Sequence, residues 1–226
     1  MSFTGFGPDT FDFLRDLRDN NSTDWFKAKE NQKRYKASVV APSKAFVAAL
    51  GEELGPEFGD FNAVPSGNGS LGRINRDIRF SKDKTPYNSH LAFHFWLGGG
   101  SKKESAGFRV WMGIDGLSVG AGARGLPDLD AFRAAVADAD RGAALEQAIA
   151  DCAANGFDLH GEQYKRVPKP YAKDHARADL LRYKSIYAGD NTPHPDSIGT
   201  PEFVGYVADR LRGCTPLARW LQALLA

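Results

Sequence analysis

The chain has 226 residues, with 29 Lys and Arg against 28 Asp and Glu, 42% hydrophobic and 25% charged, proportions that exclude wholesale disorder. No apolar run approaches the roughly 20 residues that a membrane-spanning helix needs. Two cysteines, Cys152 and Cys214, are too few for a disulfide framework or a Cys-based zinc site. The first residues, Met1-Ser2-Phe3-Thr4-Gly5-Phe6-Gly7-Pro8, lack the basic and apolar regions of a secretory signal, so a cytoplasmic protein without membrane association is expected.

Pro8 to Arg18 places Phe11, Leu14 and Leu17 on one stripe and predicts a helix that Asn20-Asn21 stops. Thr23 is the expected N-cap of a second helix carrying Trp25, Phe26, Lys29, Tyr35 and Val39. Pro42 suits the first turn of a third, with Phe46, Val47, Leu50 and Leu54 as its apolar stripe and Gly55-Pro56 as its end.

From Gly72 the period changes to two. Ile74, Ile78 and Phe80 alternate with polar residues over Arg73 to Phe80, and Leu91, Phe93, Phe95 and Leu97 share a face over His90 to Leu97. Phe108 to Ile114 repeats the pattern, and Asp115-Gly116 signals a hairpin into Leu117 to Ala121. Helix returns after Pro127 with Leu129, Phe132 and Val136, then Leu145, Ile149 and Cys152, and Gly156 fits its stop. Pro168 and Pro170 make Tyr164 to Tyr171 a loop or edge strand. A helix from Asp174 is expected to carry Leu180, Leu181, Lys184 and Tyr187, and Gly189 to Pro201 reads as loop. Two short helices around Gly213 to Pro216 fill Pro201 to Ala226. Helices, then strands, then helices predict a single α+β domain over residues 1–226. Its sheet is mainly antiparallel, with at least four strands between N- and C-terminal helices.

The net charge of +1 is unevenly spread. Residues 73–84 hold five cations (Arg73, Arg76, Arg79, Lys82, Lys84) against Asp77 and Asp83. Residues 163–184 hold seven (Lys165, Arg166, Lys169, Lys173, Arg177, Arg182, Lys184) against Asp174 and Asp179. The two stretches are expected to converge. Arg76 shares the face of Ile74, Ile78 and Phe80, where a guanidinium requires a carboxylate, carbonyls or a bound anion. The opposite face carries Arg73 and Arg79, and on the following strands His90, His94, Trp96, Arg109 and Trp111, with only Ser118, Gly120 and Gly122 on the last. A basic and aromatic face of this kind suits an anion bearing a flat ring, with Arg forks for the anion and Trp for stacking.

Three motif matches lack their context. Gly67-Asn68-Gly69-Ser70-Leu71-Gly72 fits a dinucleotide fingerprint but is followed by strand pattern instead of helix. Ser81-Lys82-Asp83-Lys84 fits a serine-nucleophile motif without its partner motifs, and Pro86 disfavours the helix it needs. His90 and His94 would lie about 13 Å apart on a regular strand, too far to share a metal. No metal site and no cofactor are expected.

The segment Arg73-Ile74-Asn75-Arg76-Asp77-Ile78-Arg79-Phe80-Ser81-Lys82-Asp83-Lys84-Thr85-Pro86-Tyr87 resembles the R-x-x-R-D-x-R-F-x-x-D-K-x-x-Y signature of a widespread conserved hypothetical family, a domain of unknown function. Its members are bacterial proteins of about this length and parts of longer fungal proteins. Phe13-Leu14, Trp25-Phe26, Lys165 to Lys169 and Asp179 to Ser185 are similar to the family too. The resemblance implies that the signature positions define the family, and it implies no activity.

The leading expectation is a binder, possible as an enzyme, of an anionic, phosphorylated small molecule. Arg73, Arg76 and Arg79 would clamp it, Lys84 would neutralise it, and Lys165 and Lys169 would join from the second stretch. Asp77, Asp83 and Tyr87 are the candidates for proton transfer or positioning, and Trp96 or Trp111 would stack on a ring. A nucleic-acid groove and a structural Arg/Asp network are the alternatives. The sequence says nothing of oligomeric state.

Overall fold

A computed structural model describes residues 2–100, 102, 105–123, 125–126 and 128–225; Pro127 and Ala226, which bound two of the expected helical stretches, lie outside them. It is an α+β fold with one open antiparallel sheet of six strands. Helix α1 (Pro8–Asp19) buries Phe11, Phe13, Leu14 and Leu17. The second expected helix is broken into α2 (Thr23–Lys27) and α3 (Lys29–Arg34) at Ala28, whose ψ of 137° leaves the helical region. Its cap is Ser22, one residue earlier than Thr23, and the Ser22 hydroxyl accepts from the Trp25 amide at 3.3 Å. A π-helical turn, Tyr35–Val40, then leads without interruption into α4 (Ala41–Phe58).

Gly55-Pro56 does not end α4 as expected. Pro56 lies in the last turn, where one lost amide is tolerable, and Gly59 closes the helix at φ 74°, its amide reaching the Gly55 carbonyl at 2.9 Å.

The sheet runs in the order β1-β2-β3-β4-β6-β5, formed by β1 (Phe61–Asn62), β2 (Leu91–Leu97), β3 (Gly107–Met112), β4 (Leu117–Ala123), β5 (Asp158–His160) and β6 (Ile186–Gly189). The expected strands at His90 to Leu97, Phe108 to Ile114 and Leu117 to Ala121 are β2, β3 and β4, with the turn closed by Gly113 N–H on the Gly116 carbonyl at 2.8 Å. Arg73 to Phe80 is not a strand of the sheet. It is an extended loop that makes one isolated bridge, Asn75 to Tyr87, after the bridge from Leu71 to Phe93 just ahead of it. Phe80, expected among the apolar side chains, is 95% exposed. Alternation set the local conformation here, but no further strand lies alongside to make the segment a core strand.

Helices α5 (Leu129–Ala137) and α6 (Ala139–Ala154) follow, each capped by an aspartate, Asp128 and Asp138. The helix expected from Asp174 shrinks to one turn, α7 (Ala178–Leu181), and Tyr187 falls in β6. Ile186 and Tyr187 favour strand, and β4 supplies a partner edge, with Gly120 opposite Gly189 and Gly122 opposite Tyr187. A Cβ on Gly120 would meet the Ala188 carbonyl at 2.4 Å. The space left by these glycines is therefore taken by the backbone of β6.

The two expected terminal helices are one, α8 (Phe203–Leu225), with Pro216 inside it. Its buried stripe of Phe203, Val207, Leu211, Cys214, Leu217 and Leu221 continues unbroken through the proline. Beside the missing amide, the Thr215 hydroxyl donates to the Leu211 carbonyl at 2.8 Å.

Two compact units interleave along the chain. The first comprises residues up to Phe95, Arg109–Ser118 and Asn191–Asp209. Its centre is aromatic: Phe46 lies 5.4 Å from Phe3, 5.5 Å from Phe6, 5.0 Å from Phe93 and 5.5 Å from Phe203, ring centre to ring centre. The second comprises Trp96–Phe108, Val119–Asp190 and the residues from Arg210 on. It buries Phe132, Leu145, Leu181, Leu217 and both free thiols, Cys152 and Cys214. Burial pushes both thiols up, Cys214 far above its ordinary range.

Candidate functional site

The signature segment is a closed loop of the first unit. Arg76 N–H donates to the Pro86 carbonyl at 2.9 Å and Asn88 N–H to the Ile74 carbonyl at 2.7 Å, which clamp the two arms together. Asn88 Nδ2 adds a bond to the Arg73 carbonyl at 2.9 Å. Between the arms the side chains satisfy one another. The Arg76 guanidinium, 25% exposed, donates to Asp83 at 2.5 Å, to the Thr85 carbonyl at 3.2 Å and to the Thr85 hydroxyl. Asp83 also accepts from the Thr85 amide at 2.9 Å. The half-buried position of Arg76 between exposed neighbours is what its place in the alternation predicts.

Arg79 forks onto Asp77, Nε at 2.9 Å and a terminal nitrogen at 2.6 Å, and lies over the Phe80 ring. Both partners of this pair are largely in solvent, 75% and 61% exposed, so it adds little to stability and is open to exchange. Lys84 Nζ donates to the Ile78 carbonyl at 2.9 Å. Tyr87 is buried 4.2 Å from the Phe26 ring, and its backbone amide and carbonyl are both bound by the Asn21 side chain. The loop is thus a small, self-paired scaffold, and Tyr87 is its root.

The Thr85 amide, then the Arg76 guanidinium and the Thr85 hydroxyl, hold the Asp83 carboxyl down to about 2. An unfolded aspartate titrates near ~3.9. The stability that this carboxylate contributes is present above that value and is lost as pH falls through the folded one. Hydrogen exchange at the Thr85 amide is therefore expected to accelerate between about pH 4 and pH 2. Asp83→Asn should remove that acid step; an amide whose protection is flat across the window would show that the clamp is not ionic.

Arg73 differs from its two neighbours in the signature. Among the described residues no carboxylate pairs with its guanidinium, and it lines a shallow, open cleft of about 30 Å³. The walls come from the π-helical turn (Tyr35, Val39, Val40), from Leu71 to Ile74, and from the start of β2 (His90 to Phe93). Ser43, on the first turn of α4, is 3% exposed, lines the cleft, and its Oγ has no hydrogen-bond partner among the described residues. Such an orphaned hydroxyl is costly to keep without a partner. A π-turn inserts one residue into the helical register, and such turns recur at binding sites. Here it ends at Val40, three residues before Ser43.

His90, half-buried in the same wall, rests 5.1 Å from the Trp111 ring. Burial, and then the Arg109 and Arg76 charges, lower the His90 pKa, so the neutral ring is favoured. Burial likewise raises the Tyr35 phenol. The residues around the cleft therefore bring together one exposed cation, hydroxyl-bearing side chains and an imidazole held toward its neutral form, beside apolar walls.

Ser43 was missed by sequence reasoning, although it carried a signal of the kind that singled out Arg76. It occupies the apolar stripe of α4 with Phe46, Val47, Leu50 and Leu54, a polar side chain among core residues.

Trp96, Lys165 and Lys169 belong to the second unit. Trp96 is half-buried, with Nε1 on the Gly100 carbonyl at 3.0 Å. Lys165 and Lys169 stand exposed on the loop after β5. Among the described residues no group of three His, Cys, Asp or Glu could hold a metal ion, and no helix is long and apolar enough to cross a membrane.

The DUF2461 model, a conserved hypothetical protein family, matches residues 9–220. No curated protein matches the sequence. An uncharacterized protein from Methanothermobacter thermautotrophicus is a solved structure to which the chain is similar, at 9% identity and a TM-score of 0.36, with 81% of this chain and 99% of that one covered. The chain belongs to the DUF2461 family.

Proposed function

We propose that this DUF2461 member binds a small anionic molecule in the cleft between the π-helical turn and the start of β2. The orphaned Ser43 hydroxyl, buried on a residue that lines the same cleft as Arg73, is the observation that carries the reading. Arg73 would fork onto the carboxylate or phosphate of the ligand, Ser43 would donate to it, and the apolar walls would take a short body. Arg76, Asp77, Arg79 and Asp83 act one step back: their mutual pairs hold the loop in which Arg73 sits. The reading keeps an anion at the signature and narrows its direct contact to one of the three arginines.

Thermal unfolding measured with 10 mM-class additions of propionate, glycerol phosphate and nucleoside monophosphates tests this. A ligand that binds only the folded state stabilises it in proportion to the logarithm of its saturation. At least one of these anions should raise the Tm of the wild type, and Arg73→Ala should abolish the rise while unfolding at nearly the wild-type temperature without ligand. If no anion moves the wild type, or if Arg73→Ala responds as the wild type does, the reading fails.

A further inference from the structure

We infer that the edge formed by β5 and β6, together with the basic loop that follows β5, is a binding face for single-stranded nucleic acid. It lies wholly in the second unit and does not depend on the cleft of the first.

His160 and Tyr187 are direct cross-strand partners, with ring centres 5.3 Å apart and planes inclined by 30°. Tyr187 is nevertheless 44% exposed, so the stack presents an open aromatic surface beside an edge strand. The ladder continues past β5 through the bridge from Gln163 to Tyr183, and brings up Tyr164, 42% exposed. Arg133 and Lys184 both lie against that ring, at 5.3 Å and 5.5 Å. Two partly exposed aromatic side chains therefore lie along this edge, Tyr187 beside His160 and Tyr164 beneath two cations.

The charge around them is sorted. Arg133, Arg177, Arg182, Lys184 and Arg210 each have a carboxylate partner in this unit. Lys165, Arg166, Lys169 and Lys173 are exposed, and among the described residues no carboxylate pairs with them. Four unneutralised cations on one loop are a local field, and at a Debye length of about 10 Å the near-zero charge of the whole chain does not cancel it. Cations fit any polyanion; the open rings select one with flat faces. A single-stranded nucleic acid supplies both, with its backbone along the loop and its bases on the rings, whereas an acidic peptide supplies only the charge.

The test is fluorescence anisotropy of end-labelled oligo(dT) and oligo(U), each of twelve nucleotides, against the whole chain. Release of counterions by four cations gives a log–log salt slope near −0.7 for each, about −2.8 in total, or a loss of affinity of roughly 50-fold between 50 and 200 mM salt. The K165Q/K169Q double variant should reduce the slope by about 1.4. Tyr187→Ala should weaken binding by roughly five-fold or more with the slope unchanged. The half-exposed position of Tyr187 leaves the core untouched, and an unshifted Tm verifies that the variant folds. Binding of either oligomer, or equal binding of both, would support the face. Absence of binding at 50 mM salt, or binding that Tyr187→Ala leaves unaltered and inorganic polyphosphate matches, would overturn it.

Discussion

Arg210→Met is expected to destabilise the protein by about 3–5 kcal/mol, because it would strand a buried carboxylate. The Asp190 side chain is 5% exposed and pairs with Arg210 at 2.5 Å. Its other oxygen accepts from the Val119 amide at 2.7 Å, which ties the end of β6 to β4. Arg210 closes the arrangement by donating to the Asn155 carbonyl at 3.1 Å and lying 4.3 Å from the Phe157 ring centre. Methionine keeps much of the stem and its packing, so the loss reports the charge. The D190N/R210M double variant should recover a good part of it, since the cost arises from leaving one partner unpaired. Chemical denaturation measures both, and a single variant within 1 kcal/mol or so of the wild type would show that Asp190 is not dependent on its partner.

Phe46→Ala is expected to cost a similar amount, roughly 3–5 kcal/mol, for a different reason. Its ring is fully buried and touches four other phenylalanines, so truncation leaves a cavity that several stiff rings cannot collapse into. Phe46 stands one turn beyond Ser43 on the buried side of α4. The same substitution should therefore lower the protection of amides at the start of α4 and weaken anion binding indirectly. Phe46→Leu, which retains most of the volume, should lose far less on denaturation. If Phe46→Ala and Phe46→Leu cost the same, the aromatic cluster is not what holds this unit.

Residue patterns that depend on local geometry were readable from the sequence; those that depend on distant partners were not. The alternation at Leu91 to Leu97 and Gly107 to Met112 gave β2 and β3, because each has a buried face of its own. The same alternation at Arg73 to Phe80 placed Arg76 inward correctly and Phe80 wrongly, since period two fixes direction but not whether another layer lies there to cover a side chain. Ile186 to Gly189 is too short to announce a strand, and it becomes β6 only because β4 and β5 lie on either side. Pro216 looked like a helix end by local rules, and the long buried stripe of α8 outweighed it. For the candidate site, the charge pairing of Asp83 with Arg76 and of Asp77 with Arg79 follows from residues close in sequence. The cleft required Ser43, Arg73 and His90 to meet from three separate segments, which no spacing discloses.

The pairing also separates two roles that a charged motif leaves merged. Arg76 and Arg79 are already engaged with aspartates of the same loop, and a ligand would have to displace those contacts to use them. Among the described residues Arg73 has no such competitor, and it lines the same cleft as Ser43, whose hydroxyl is orphaned. The signature thus divides into residues that pair with one another to build a loop and one, Arg73, that pairs with no carboxylate among the described residues.

Titration of the His90 ring by NMR, with and without the anion that most raises Tm, tests the cleft most directly. In the free protein, burial and the nearby Arg109 and Arg76 charges hold the ring below the ordinary histidine value. An anion seated against Arg73 adds negative charge beside the imidazole, so the His90 pKa should rise on binding, and affinity should increase as pH falls toward it. In Arg73→Ala the ring should titrate alike with and without the anion. A His90 pKa that the anion leaves unmoved in the wild type, while Tm still rises, would place the bound anion elsewhere and contradict the account.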